Sequence, residues 1–186
     1  MKKFSLSLAA LMLAPGAALA HPGHDAGTFL AGAQHPIGGA DHVLAMVAVG
    51  LWAAQLGGRA AWAMPASFVG AMLLGGAVGA AGLSFPAVEP MILASIVVLG
   101  ALVALMARLP LLAALPIVAV FGMAHGWAHG AEGPQAGLMA YAAGFALVTA
   151  ALHGLGLALG RGLGTLALRG LGAAPALAGL ALVVAG

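Results

Sequence analysis

The chain has no cysteine. Disulfide staples, thiolate metal sites and thiol nucleophiles are thereby excluded. Any metal would have to be held by nitrogen and oxygen, with methionine sulfur as a weak addition. Charge is nearly as scarce. Asp, Glu, Lys and Arg make up 5% of 186 residues, against roughly a quarter in a soluble domain. A chain that is 63% hydrophobic, with a mean hydropathy of +1.14, cannot cover a water-exposed surface. Lipid must serve as its solvent. Six Lys/Arg against four Asp/Glu are too few for a nucleic-acid patch, so the pI of about 9.7 carries no such meaning. No loop is long enough for a soluble domain, and neither a strand pattern nor a low-complexity tail is present.

What is present begins with a leader. Met1-Lys2-Lys3 precedes an apolar run from Phe4 to Ala14, then Ala18-Leu19-Ala20. A basic start, a short apolar core and a small-x-small site describe a signal peptide cleaved after Ala20. A retained first span would need about 20 apolar residues, more than this run offers. The sequence therefore divides into a signal peptide at 1–20 and a transmembrane domain at 21–186. Apolar stretches predict six helical spans at roughly 39–57, 61–82, 88–107, 110–129, 135–159 and 165–185. The fold class is all-α integral membrane protein. Gly, Pro or a charge marks each break, as in Gly57-Gly58-Arg59, Ser84-Phe85-Pro86 and Arg108-Leu109-Pro110. Thirty glycines suit close helix packing in lipid, with Gly75-Gly76 and Gly79 at the required spacing.

Charge sets the orientation. Cleavage leaves His21 outside, so the loops after spans one, three and five face the cytoplasm. Those loops hold Arg59, Arg108 and Arg161, and Arg169 lies within snorkelling reach of the same side. The outer segments hold Asp25, Glu89 and Glu132 without Lys or Arg, as the positive-inside rule requires. The expected location is a bacterial inner membrane, multi-pass, with a periplasmic N-terminus.

Two clusters carry the candidate chemistry. The first is His35-Pro36-Ile37-Gly38-Gly39-Ala40-Asp41-His42, with Met46 one turn below His42. The second is His125-Gly126-Trp127-Ala128-His129-Gly130-Ala131-Glu132. The topology places both at the outer face. His125 and His129 stand at i and i+4, on one helix face, where two imidazoles can bind one divalent ion. A helix C-terminus favours a cation there, and Glu132 could add an oxygen. The other reading is a pair of interfacial histidines without a ligand. Gly126, Gly130 and Gly133 would let the backbone bend or approach closely. A charge inside a span costs roughly 2.5–3.5 kcal/mol, so Asp41 needs a partner or a solvated cavity. It could also be the N-cap of span one. Pro36, Gly38 and Gly39 predict irregular backbone before it, tolerated only where protein covers it or it lines a cavity. Met46 is either packing or a relay. His153 is either a deeper relay or a packed histidine bonded to a backbone carbonyl. His21 and His24 could form an N-terminal chelate or belong to a solvated tail.

With these residues the chain resembles the HupE/UreJ family of membrane proteins. The resemblance rests on His35-Pro36, Gly39, Asp41-His42 and Met46, on His125-Gly126, Ala128-His129-Gly130 and Glu132, and on Thr149 through His153 and Gly156. It covers essentially the whole mature chain. It implies a permease taking up Ni²⁺ or Co²⁺ as cargo, linked to hydrogenase or urease maturation, with no prosthetic group. It carries over His35, Asp41, His42, His125, His129 and Glu132 as metal-path residues. A His/Asp/Glu set without thiolate suits Ni²⁺ or Co²⁺, and leaves Zn²⁺ and copper open.

Two rivals stand beside transport. One is a metal-binding accessory or sensor that moves no ion. The other is an intramembrane metallohydrolase, which would require His-Glu-x-x-His with the Glu as base. Gly126 occupies that Glu position, and no Gly-x-Ser-x-Gly occurs, so no enzyme is expected. No nucleotide-binding loop is present either, so coupling would come from a gradient, a potential or a partner.

Overall fold

A computed structural model describes residues 28–134 and 136–185, with side chains to residue 182. The expected signal peptide, its cleavage site and His21, His24 and Asp25 lie outside the described residues. Seven helices occur among the described residues, and no strand. They are α1 (Thr28–Gly38), α2 (Ala40–Leu56), α3 (Ala60–Ala80), α4 (Val88–Ala104), α5 (Leu111–Glu132), α6 (Leu138–Gly162) and α7 (Thr165–Ala185). Four of them (α3, α5, α6 and α7) are long and apolar enough to cross a membrane. The pair α1 and α2, bent by 83° at Gly39, qualifies together as a fifth, while α4 is shorter, at 17 residues.

The apolar surface is inverted relative to a soluble protein. Leu112, Met139 and Leu166 are 85%, 83% and 86% exposed. The buried polar side chains include four histidines: His42, His125, His129 and His153. Apolar residues outside and hydrogen-bonding residues within make this a multi-pass membrane protein.

Helix α2 runs through the middle. Ala45, Met46, Val49, Leu51, Trp52 and Ala53 are all buried, on every side of the helix, as expected for a helix surrounded by others. It packs chiefly on α6 and also touches α3 and α4. The other close pairs are α3 with α5, α4 with α7, and α1 with α6. Each close pair is built on glycine. A Cβ at Gly126 or Gly130 of α5 would collide with the carbonyls of Met72 or Gly76 of α3. One at Gly75 or Gly79 of α3 would collide with those of Met123 or Trp127. Gly50 and Gly156 do the same for α2 and α6, Gly32 and Gly144 for α1 and α6, and Gly100 and Gly172 for α4 and α7. Lipid supplies no hydrophobic drive between helices, so close backbone approach and dispersion must hold them together.

Two sequence expectations need correction. Residues 28–38 form a helix, and irregular backbone is confined to Gly39, in extended conformation at φ −113°, ψ 122°. Of the two roles expected for Gly126 and Gly130, bending and close approach, the structure shows the second: they lie in regular helix and let α3 come close. Span four continues through Glu132, so both of its histidines and the carboxylate share one helix.

The opposite end of the bundle carries the arginines. Arg59 and Arg108 line one recess of about 430 Å³ with Gln55. The turn after α4 is fastened to α2 there. Trp52 Nε1 donates to Ala107 O at 2.9 Å, and Gln55 Nε2 donates to Val103 O at 3.1 Å. These bonds hold Met106 in a left-handed conformation at φ 54°, unusual for a residue with a side chain.

Candidate metal centre

The break at Gly39 starts α2 so that Asp41 and His42 fall in its first turn. Asp41 is therefore not the N-cap; Gly39 holds that position without a side-chain cap. The carboxylate still satisfies an orphan donor of that turn. Asp41 Oδ1 accepts the backbone N–H of His42 at 2.9 Å, and also its ring Nδ1–H at 2.9 Å. The imidazole is thereby fixed with Nε2 bare. Gly39 makes room for this arrangement. A Cβ there would fall 2.5 Å from Asp41 Oδ1 and 3.0 Å from His42 Nδ1.

His125 and His129 come from α5, one turn apart on the face that meets α2. The packing carries them inward, to 0% and 7% exposure. His42 Nε2 faces His129 Nε2 at 2.6 Å. The His42 ring centroid lies 4.8 Å from that of His125 and 4.6 Å from that of His129. One ring nitrogen from each of the three lies within 4.8 Å of the others.

A residue not singled out from the sequence orients His125. Ser95 of α4 is fully buried, and its hydroxyl donates to Ile92 O at 2.6 Å. Its oxygen is then left to accept from His125 Nε2–H at 3.1 Å. That leaves His125 Nδ1 bare, buried and without a protein partner. His129 Nδ1 is also buried without one. A buried polar atom lacking a hydrogen bond costs roughly 1–3 kcal/mol. Two imidazoles that each keep an unpartnered buried nitrogen, grouped with His42, could serve as the donor set of a cation site. Metal-binding imidazoles are typically held through their other nitrogen by a carboxylate, carbonyl or similar group, the parts Asp41 and Ser95 take here. An ion with metal–nitrogen bonds of about 2.1 Å requires only modest separation of the His42 and His129 rings.

The remaining candidates are placed differently. Asp41 borders the three nitrogens through His42 and is not one of them. His35, exposed at the end of α1, sets its ring edge-on to His129 with centroids 4.5 Å apart. Glu132 is exposed at the last residue of α5, one turn beyond His129. Neither belongs to the three-nitrogen group. Met46 is fully buried in the apolar core. His153 lies deeper on α6 and makes no bond to a carbonyl; both of its ring nitrogens are without partners. Tyr141 and Phe145 of α6 form an aromatic wall against His35, and Phe145 also faces His129 at 4.5 Å. Beside His129, a largely apolar recess of about 320 Å³ opens between α3, α5 and α6. A lone hydroxyl in the apolar run Ile92-Leu93-Ala94-Ser95-Ile96 was the only sequence signal for Ser95.

No solved structure matches the chain. The chain is 43% identical over 187 aligned positions to Protein HupE of Rhizobium leguminosarum bv. viciae, covering 98% of this chain and 97% of that protein. The family model described as HupE / UreJ protein matches residues 9–182, nearly the whole length. The chain belongs to the HupE / UreJ family.

Proposed function

We propose that the protein is a secondary permease that takes up a divalent transition metal ion, Ni²⁺ or Co²⁺, across the bacterial inner membrane. The observation that carries this is the group of three ring nitrogens from His42, His125 and His129, within 4.8 Å of one another. They come from two helices far apart in sequence, and a carboxylate and a hydroxyl orient two of the rings. In this reading the ion arrives at the periplasmic face, attracted by Asp41 and Glu132 and met first by His35. It exchanges water for imidazole at the centre. Neutral imidazole suits nickel and cobalt, and Asp41 raises the basicity of His42 through its Nδ1–H. Release inward requires that binding stay moderate. The reading makes the chain a carrier and not an enzyme. It also places six spans in the membrane, counting α1 with α2 as one and including α4. A signal peptide at 1–20 then leaves the N-terminus in the periplasm, and a hydrogenase or urease maturation system is the consumer of the ion.

The test is metal accumulation by cells, with competing Ni²⁺, Co²⁺, Zn²⁺ and Cu²⁺. His42→Ala and His129→Ala should each reduce uptake to background with normal amounts of protein in the membrane. Wild-type uptake in either variant removes that histidine from the path. If the purified chain binds the ion while expression never raises internal metal, the accessory or sensor reading replaces transport.

A further inference from the structure

His153 has no role in the centre described above. It is 1% exposed on α6, and neither ring nitrogen has a partner. Thr149, one turn away on the same helix face, is fully buried, and its hydroxyl donates to Met72 Sδ at 3.7 Å. An imidazole and a hydroxyl thus share one buried helix face inside an apolar bundle.

Glycine contacts fix the depth of this group. The His153 carbonyl lies against Gly50, two turns further along α2 than His42, or roughly 12 Å at 1.5 Å per residue. Phe68 of α3 occupies the level between. Its carbonyl lies against Gly122, about one turn deeper on α5 than His125. Its ring centroid is 5.8 Å from that of His125 and 5.0 Å from that of His153. A single fully buried ring therefore contacts both the outer centre and the deeper histidine.

We propose that His153, with Thr149, is a second station for the divalent ion, and that Phe68 is the partition between it and the three-histidine centre. The proposal rests on the metal-transport reading of that centre. The second station holds the ion by one imidazole and one weaker hydroxyl donor, where the outer centre uses three imidazoles. A weaker inner set favours onward release over retention, and passage between sites of moderate affinity is what conduction needs. An imidazole bonded to a metal also recovers the partner that the protein does not supply. A flat apolar ring between the stations excludes a continuous water column, so an ion crosses when the ring swings aside.

The test uses the full chain in nanodiscs, with Co²⁺ alone as the probe, and the same protein in liposomes. At saturation the wild type should bind two Co²⁺ and His153→Leu one, with the visible spectrum of the outer ion unchanged. His42→Ala should lose the outer ion's spectrum. In liposomes His153→Leu should slow Co²⁺ entry at least ten-fold. Its melting temperature should match or exceed the wild type, because leucine replaces a buried ring that makes no hydrogen bond. If that variant does not fold, His153→Met replaces it and should retain less than half the uptake. Phe68→Leu should keep both ions and speed entry. Wild-type uptake or wild-type stoichiometry in the His153 variant that folds overturns the inner station. One Co²⁺ per chain, lost in His42→Ala and retained in His153→Leu, overturns it while sparing the outer centre. No Co²⁺ bound by the wild type overturns both.

Discussion

At the scale of single residues, the centre depends on groups that would not touch the ion. Asp41 Oδ1 holds His42 through Nδ1, and Ser95 holds His125 through Nε2. Losing such a partner typically weakens metal binding by roughly 10–100-fold. Asp41→Ala should therefore lower Co²⁺ affinity by about that factor, with Ser95→Ala acting in the same direction, as read by titration of the purified chain. Asp41 is half-exposed, so its removal should leave the fold intact. Gly39→Ala should resemble Asp41→Ala, because the new Cβ meets Oδ1 at 2.5 Å. An unchanged affinity in Gly39→Ala would mean that the carboxylate finds another route to His42. The candidate histidines were legible in the sequence, since histidines in a lipid-embedded chain are costly and conspicuous. Ser95 was not, because a serine in an apolar helix is common and only the neighbouring helix shows what it bonds.

At the scale of elements, paired glycines decide which helices meet. On α5, Gly122, Gly126 and Gly130 recur every four residues and seat against Phe68, Met72 and Gly76 of α3. This contact lies on the helix that presents His125 and His129, so it also sets their depth. Gly126→Val should force the helices apart and destabilise the bundle by about 1–3 kcal/mol or more, as overpacking does. Gly70→Ala is the matched control, with nothing within 4 Å of the added carbon. It should be neutral or stabilising by up to about 1 kcal/mol. Thermal unfolding in detergent compares them, and equal melting temperatures would remove the packing role of Gly126. The six apolar helices were legible to within a few residues because length and hydropathy define them. Helix α1 was not. Its 11 residues include Pro36, two glycines, Gln34 and His35, a poor isolated helix. It forms because Gly32 and Gly144 let it lie against α6.

At the scale of the whole molecule, the two ends differ in charge and role. His35, Asp41, His42, His129 and Glu132 gather toward one end, and Arg59 and Arg108 share a recess at the other. The absence of cysteine makes orientation directly measurable. Ala81→Cys and Gly162→Cys are both exposed and lie at opposite ends. A membrane-impermeant maleimide added to intact spheroplasts should label the first and spare the second until the membrane is opened. Labelling in the reverse order would invert the proposed topology and put the histidine centre on the cytoplasmic side.

The sequence by itself determined the solvent, the helical class, the order of the apolar segments and the kinds of ligand available. Those follow from composition and from periodic apolar length, which are properties of consecutive residues. It also placed His42 and the pair His125 and His129 at one face, because alternating spans return the chain to the same side. Only the tertiary structure decided which of the candidates meet. Three nitrogens converge within 4.8 Å, while Asp41 stands behind one of them and Glu132 stands outside. The physical reason is that convergence depends on helix rotation and interaxial distance. Those are set by which glycines face which carbonyls across the bundle, a relation between residues that spacing along one chain does not contain.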